Sequence, residues 1–157
     1  FTVKKKVIQQ KDPTLAIKER SSAHIPVKKI DFIDDEIIKV KIGSGDEISI
    51  KVVKSDAKKN IGLGGVEEFF GLVADGMLFV FDSSSNYSFW NKDMLFPIDI
   101  IWIRDNVVVD ITENMPDFKT SPSYTVTPKE VINFVLEVES GFIKEKDVKI
   151  GDKVEFK

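Results

Sequence analysis

The chain of 157 residues has no cysteine, a single histidine and no long apolar run, and each of these shortages excludes a class of protein. Without cysteine there is no disulfide, no thiol nucleophile and no thiolate-bound metal. With His24 as its one histidine, the chain cannot build a histidine-rich zinc or iron site. We therefore predict no metal and no cofactor. No apolar run reaches the roughly 18 residues of a membrane-spanning helix.

Positive charge is concentrated in the first 30 residues, although the chain as a whole has a formal net charge of -3. Residues 1–30 carry eight Lys or Arg and two acids, a net of +6, which leaves 15 basic and 24 acidic residues, a net of -9, for residues 31–157. Because the acidic part repels polyanions, we expect no nucleic-acid partner. Residues 1–30 show no sustained apolar period, so they are predicted to form an extended arm with His24 exposed, or alternatively a short strand over Phe1–Ile8.

Short alternating apolar segments, separated by turn residues, follow one another from residue 36 onward. Two of them flank residues 43–46 and predict a β-hairpin, and Ser55 is a candidate N-cap for a short helix that ends at Gly62. Further strands are predicted at Met77–Phe81, Tyr87–Trp90, Ile98–Ile103, Val107–Ile111, Phe134–Val138 and Lys153–Phe156. One helical turn is expected within residues 141–148. The pattern predicts a mainly β, single-domain fold over residues 31–157, either an antiparallel β-sandwich of jelly-roll type or a partly open barrel.

Of the acidic residues inside predicted strands, Asp99 and Glu137 are the two that we most expect to be half buried. Asp99 shares a strand face with Ile101 and Ile103, and Glu137 lies in the apolar run near the end of the chain. A buried carboxylate is costly unless it is hydrogen-bonded, so each is either an internal acceptor or a group with a shifted pKa. We expect the structural role. The alternative is a hydrolase carboxylate pair, Asp99 with Glu137 or Asp93 with Glu137.

The segment at residues 89–93 combines an aromatic plane, an amide, an ammonium and a carboxylate, a mixture that suits polyhydroxylated ligands. Trp90 and Lys92 share one face of an extended segment, so the indole and the ammonium should lie together. The candidate ligand-binding residues are Trp90, Asn91, Lys92, Asp93 and Tyr124, the last in a long loop able to fold over the site. The alternative is that Trp90 packs in the core and Lys92 pairs with an acid.

Several motifs in a fixed order resemble a bacterial and archaeal family called domain of unknown function 192. They are Gly76-Met77-Leu78-Phe79-Val80-Phe81, Phe89-Trp90-x-Lys92, Pro97-Ile98-Asp99-Ile100, Val135-Leu136-Glu137-Val138 and Gly151-Asp152-x-Val154. The resemblance covers about residues 47–157 and implies a compact, mainly β fold, without an established reaction. Against the family pattern, Val66 stands where Arg is common, and Asn91, Asp93 and Met94 stand for Met, Asn and Thr.

We therefore predict a noncatalytic, extracytoplasmic binding module for a carbohydrate or cell-envelope ligand. Because the chain begins at Phe1 rather than at Met, a segment is expected upstream, and the resemblance implies a signal peptide or a single membrane anchor there. The basic arm would then connect the β domain to that anchor, which is the one contact with a membrane that we expect. The alternatives are a glycan-active hydrolase that uses an Asp/Glu pair, and a structural or protein-interaction module.

Overall fold

The computed structural model describes residues 30–69 and 73–157, which form nine strands and two short helices. The strands are β1 (Ile37–Ile42), β2 (Glu47–Val53), β3 (Gly76–Ser85), β4 (Phe89–Trp90), β5 (Ile98–Arg104), β6 (Val107–Met115), β7 (Thr125–Val126), β8 (Ile132–Glu139) and β9 (Val154–Phe156). The helices are α1 (Asp56–Ile61) and α2 (Phe142–Glu145). The predicted arm up to residue 29, including the alternative strand at Phe1–Ile8 and His24, lies outside the described residues.

Seven strands form one curled sheet in the order β6-β5-β8-β3-β2-β1-β9, and β4 with β7 forms a second, two-stranded sheet. The prediction of a mainly β fold with one or two short helices is confirmed. Of the two predicted architectures, this half-barrel corresponds to the partly open barrel. All pairs are antiparallel except β2 with β3, which run parallel, with Ile50 opposite Gly76.

The two edge strands of the curled sheet, β6 and β9, are connected by a few backbone hydrogen bonds. Val107 at the start of β6 forms an isolated antiparallel bridge with Lys153, just before β9. The Val108 N–H donates to the Asp152 carbonyl at 2.9 Å, and the Gly151 N–H donates to the Val108 carbonyl at 2.8 Å. These bonds bring the two outermost strands of the sheet together at the start of β6.

Each face of the sheet carries its own apolar cluster, which is why the central strands β3, β5 and β8 contain nearly continuous apolar runs. In β5, Ile101 and Ile103 belong to one cluster, and Ile98, Ile100 and Trp102 belong to the other, as the alternation predicts. Full burial of one such side chain stabilises the fold by about 1.5–3 kcal/mol. The second cluster also includes side chains from the turn after α1 and from the segment after β4, so it underlies the candidate site.

The short helix α1 begins and ends where the sequence predicts. Ser55 is its N-cap residue, but the Ser55 side chain makes no cap hydrogen bond, and the Asp34 carboxylate instead accepts the backbone N–H of Ser55 at 3.1 Å. Gly62 ends the helix at φ 50°, a left-handed conformation that favours glycine. An added Cβ at Gly62 would lie 3.3 Å from the Phe79 ring, so the absence of a side chain lets this turn approach β3 closely. Within residues 30–69 and 73–157, no helix is long and apolar enough to cross a bilayer.

Candidate functional site

A pocket of about 190 Å³ lies over the second apolar cluster, between α1 and β4. Its walls come from residues 59–64 of α1 and the turn that follows, from Phe79 and Phe81 of β3, and from residues 87–90, 92 and 94 around β4. Glu137 of β8 also lines it. A pocket for a drug-sized ligand typically has about 300–1,000 Å³. This pocket is therefore large enough for one small ring rather than for an extended molecule.

Glu137 is the buried acidic group of this pocket. The sheet register places it between Met77 of β3 and Ile100 of β5, and its residue surface is 5% exposed. Its Oε2 atom is buried and has no hydrogen-bond partner. Because burial disfavours the charged form, the pKa of the Glu137 carboxyl is raised from 4.5 to about 8. At neutral pH this side chain is a neutral carboxylic acid, which can both donate and accept a hydrogen bond.

Trp90 and Lys92 lie together at the edge of the pocket, as the extended segment predicts. Trp90 is 60% exposed, and the Lys92 ammonium lies 5.4 Å from the centroid of its indole ring. The backbone of Trp90 is held by pairing with Thr125 of β7. The alternative that Trp90 packs in the core is wrong, since the indole is open to solvent. An exposed indole beside a cation is a surface on which the apolar face of a sugar ring can stack.

Lys59 is a second cation of the pocket, and sequence analysis missed it. Its ammonium lies 4.5 Å from the centroid of the Phe81 ring, and its side chain is only 16% exposed. Asp56, its ion-pair partner at 3.4 Å on the same helix, is 96% exposed. Lys59 lies in a short charged helix that is distant in sequence from Trp90, so no spacing pattern could connect the two residues.

The aromatic wall between these cations is held by ring contacts. Phe81 and Tyr87 stack with centroids 3.8 Å apart, and the Tyr87 hydroxyl donates to the Ser83 carbonyl at 2.8 Å. Phe89 meets Phe79 edge to face at 5.0 Å, which links this wall to the buried core of β3. Aromatic contacts of this geometry contribute about 0.5–1.5 kcal/mol beyond the burial of their area. The wall is therefore preformed.

Asn91 is fully buried and does not contact the pocket, in contrast to its predicted ligand-binding role. Its amide nitrogen donates to the carbonyls of Pro116 and Ser121 at 2.9 and 2.8 Å, and its side-chain oxygen accepts the Tyr124 N–H at 3.0 Å. These three hydrogen bonds hold the loop formed by residues 116–124 in place. The structure thus assigns Asn91 to loop support, because burial of an amide requires that its donors and acceptor are satisfied internally.

Asp93 and Tyr124 lie near the segment but outside the pocket that holds Glu137. Asp93 is exposed, has a φ of 58°, and lines a neighbouring groove together with Gly64, Trp90 and Lys92. Tyr124 is 42% exposed, and its hydrogen bonds with Asn91 are made by its backbone. The structure therefore brings Trp90, Lys92 and Glu137 around one pocket and leaves Asp93 at its border.

Asp99 is a structural acceptor, as expected. Its carboxylate accepts three backbone N–H groups: Asn114 at 2.9 Å, Gly141 at 3.0 Å and Ile143 at 3.0 Å. Asp99 is fully buried on the face of Ile101 and Ile103, whereas Glu137 lies over the other cluster. The proposed hydrolase pair of Asp99 with Glu137 is wrong, because the sheet separates the two carboxyl groups.

A second groove beside the pocket is lined by Leu95, Phe118 and Lys119 among others. Leu95 and Phe118 are 58% and 38% exposed.

Among the described residues, no group of three or more His, Asp or Glu side chains is placed to hold a metal ion.

A family model matches residues 38–156, which cover almost the whole described fold. It is the model of DUF192, described as Uncharacterized ACR. The chain belongs to the DUF192 family. The resemblance inferred from the sequence motifs is thereby confirmed. Val66, at the position where the family resemblance led us to expect Arg, is partly buried against the second apolar cluster.

Solved structures with the fold of this DUF192 chain include the following two. One is a "putative transcription regulator" from Sinorhizobium meliloti 1021, 22% identical, with a TM-score of 0.68 over 80% of this chain and 98% of that one. The other is a protein of unknown function from Novosphingobium aromaticivorans DSM 12444, 25% identical, with a TM-score of 0.66 over 76% of this chain and 84% of that one. No curated protein matches the chain. The comparisons therefore fix the family and the fold, and function has to be argued from the pocket.

Proposed function

We propose that this DUF192 chain is a noncatalytic binding module that holds one ring of a carbohydrate or cell-envelope ligand in the pocket between α1 and β4. The observation that carries the proposal is the buried Glu137 at a pocket whose edge is an exposed Trp90. A buried carboxyl oxygen without a partner costs free energy in the empty protein. A ligand hydroxyl that bonds to Glu137 removes that cost.

Two of the side chains that line the pocket suit different parts of a sugar ring. The Trp90 indole offers a flat apolar surface to the ring C–H groups, and neutral Glu137 offers a donor and an acceptor to hydroxyls. The volume of about 190 Å³ limits the occupant to one ring, so a longer glycan would be held by a terminal or side-branch unit. Stacked aromatic walls add little reorganisation cost because they are already packed.

The proposal includes a location outside the cytoplasm, where cell-envelope saccharides are found. Residues 1–30, with their net charge of +6, would connect the β domain to a membrane anchor upstream. A cation-rich segment next to an anchor is also attracted to anionic lipid headgroups. Protease accessibility of the tagged full-length protein in intact cells tests this part separately from ligand binding.

The direct test of binding is an amide NMR titration of the 157-residue chain with cellotetraose, chitotetraose and tetragalacturonate. We expect the largest shift changes at residues 59–64 and 87–94, and their loss in Trp90→Ala. Because Trp90 is 60% exposed, this variant should keep the wild-type melting temperature. Val107→Ala, an exposed apolar residue away from the pocket, is the control. Shift changes confined to residues 1–29 with all three ligands would overturn the proposal.

A hydrolase that uses Glu137 as a general acid is the second candidate, because a carboxyl that stays protonated at neutral pH is what such a reaction needs. Its partner would have to be Asp93 at the pocket border. Incubation with tetragalacturonate and chitotetraose, followed by chromatography of the products, separates the candidates. A binding module releases no shorter sugars. A hydrolase releases shorter sugars, and this activity is lost in the Glu137→Gln and Asp93→Asn variants.

A further inference from the structure

The charge of the pocket is opposite in sign to that of the domain around it. The cations that line the pocket are Lys59 and Lys92, and among the described residues Glu137 is the one acidic residue that lines it. Burial keeps the Glu137 carboxyl neutral at pH 7, since its pKa is raised to about 8. The side chains that line the pocket thus sum to about two positive charges, and the nearby carboxylates of Asp56 and Asp93 lie outside this lining. Residues 31–157 together carry a net charge of -9.

The charge of Lys59 is directed at the pocket. Its ammonium lies against the Phe81 ring at 4.5 Å, with the side chain 16% exposed. The ion pair with the highly exposed Asp56 is screened by solvent, and such pairs contribute little. A charge that is packed against an aromatic ring and largely shielded from water is screened less, because the local dielectric constant is lower. An anion inside the pocket would therefore gain more from Lys59 than Asp56 does.

Lys92 is the second cation that lines the pocket. Its ammonium lies 5.4 Å from the Trp90 ring centroid, so a ring stacked on the indole would have its substituents within reach of this ammonium. The two lysines come from different elements, α1 and the segment after β4, and converge on one volume of about 190 Å³. A quaternary ammonium or another cation, the usual guest of an aromatic cage, would be repelled by both.

We infer that the pocket selects an acidic sugar, that is, one ring bearing a carboxylate, over the same ring in neutral form. This inference rests on the proposed carbohydrate binding and specifies its ligand class. The carboxylate lies between Lys59 and Lys92, the ring stacks on Trp90, and a ring hydroxyl bonds to Glu137. An acidic sugar is favoured over a small inorganic anion because the indole and Glu137 would otherwise stay uncovered.

The test compares D-glucuronate, its neutral methyl ester and D-glucose by amide NMR titration at pH 7 in low salt. We expect the dissociation constant of glucuronate to be at least about tenfold lower than those of the two neutral sugars, and this preference to weaken in 0.5 M NaCl. Lys59→Gln and Lys92→Gln should each reduce the preference several-fold, and the double variant should abolish it. Lys59→Arg, which keeps the charge, should retain it, and Lys144→Gln, an exposed lysine on α2, is the matched control.

The outcomes distinguish this inference from the proposal beneath it. Equal binding of glucuronate, its methyl ester and glucose at residues 59–64 and 87–94 would overturn the acidic preference and leave carbohydrate binding standing. A preference that survives the double lysine variant would also overturn the inference. If none of the three sugars, and none of the tetrasaccharides, moves the pocket resonances, then the proposed function fails and the inference fails with it.

Discussion

Asp99 and Glu137 lie one residue out of register on neighbouring strands, yet their carboxyl groups are on opposite faces of the sheet. Asp99 is paired with Val138, and Glu137 is paired with Ile100. Asp99 is bonded to three backbone N–H groups, whereas the buried Oε2 of Glu137 has no partner. Two acids of similar burial thus have different surroundings, since Asp99 is bonded to the backbone and Glu137 lines the pocket.

Replacement of Asp99 with Asn is predicted to destabilise the fold. One side-chain oxygen of Asp99 accepts two N–H groups, and the other accepts one. In the Asn variant, the NH₂ group replaces one of these oxygens, so a donor faces a donor and at least one hydrogen bond is lost. We expect a loss of about 1–3 kcal/mol in the free energy of unfolding, measured by urea denaturation. Asp82→Asn, at an exposed position, is the control and should change stability by less than about 0.5 kcal/mol. A fully stable Asp99→Asn protein would contradict the structural role.

Replacement of Glu137 with Gln is predicted to stabilise the protein by an amount that grows as the pH rises from about 4.5 toward 8. The native pKa of Glu137 is raised to about 8, so between about 4.5 and 8 the unfolded chain ionises while the native protein keeps its proton. Stability from the protonated carboxyl is complete below about 4.5 and is lost as the pH rises toward 8. We expect wild type and variant to be similar at pH 4, and the variant to be about 3–5 kcal/mol more stable at pH 8.5.

Urea denaturation of both proteins at pH 4, 6 and 8.5 measures this difference, and other titrating groups cancel in the comparison. Glu139→Gln, an exposed acid on the same strand, is the matched control and should show no growing difference. A constant difference between wild type and Glu137→Gln at all three pH values would show that Glu137 does not titrate as the structure indicates.

Gly76→Ala is predicted to disrupt the centre of the sheet beside the pocket. A Cβ at Gly76 would lie 2.5 Å from the Glu137 carbonyl oxygen and 3.0 Å from a Val138 methyl group. Since the closest atom belongs to the backbone, relief requires β3 and β8 to move apart, and we expect a cost of about 3 kcal/mol. Thermal denaturation measures it, with Gly45→Ala in the hairpin turn as the milder comparison at 3.1 Å from a carbonyl. Equal melting temperatures for the two variants would contradict this account.

Deletion of residues 1–29 is predicted to leave the β domain folded, whereas Phe32→Ala should destabilise it. Phe32 is 7% exposed and meets Phe134 and Phe156 edge to face at 5.6 and 5.5 Å. Its truncation should cost about 3–5 kcal/mol. Ile30 also packs against this cluster, so the deletion should stop before it. Melting temperatures of the deletion, with and without Phe32→Ala, test both parts, and a large drop on deletion alone would show that the arm stabilises the domain.

Sequence patterns predicted the strands because their apolar side chains alternate between two buried faces. The alternation placed Asp99 with Ile101 and Ile103, and the structure confirms that placement. β7 was missed, since two residues that pair only with β4 carry no period. The parallel direction of β2 and β3 was also missed, because period-two alternation is the same for either direction of pairing.

The candidate site was only partly predictable. The neighbourhood of Trp90 and Lys92 follows from their spacing in one extended segment, so sequence could find it. The role of Asn91 could not be found, because its amide is satisfied by a loop more than 20 residues away in sequence. Lys59 lines the pocket because α1 packs near β3, where the Lys59 ammonium lies over the Phe81 ring. No local sequence pattern predicts such long-range packing.

The adjacency of β1 and β9 in the sheet has a consequence for the rate of folding. Val40 pairs with Phe156, so the first and last described strands are neighbours, and the bridge from β6 to the start of β9 forms only when that last strand is present. Loop-closure entropy must be overcome before such distant pairs contribute, and mainly β domains of this kind fold in roughly milliseconds to seconds. During synthesis, the sheet therefore stays incomplete until the final strand has left the ribosome, and β1 presents an unpaired edge until then.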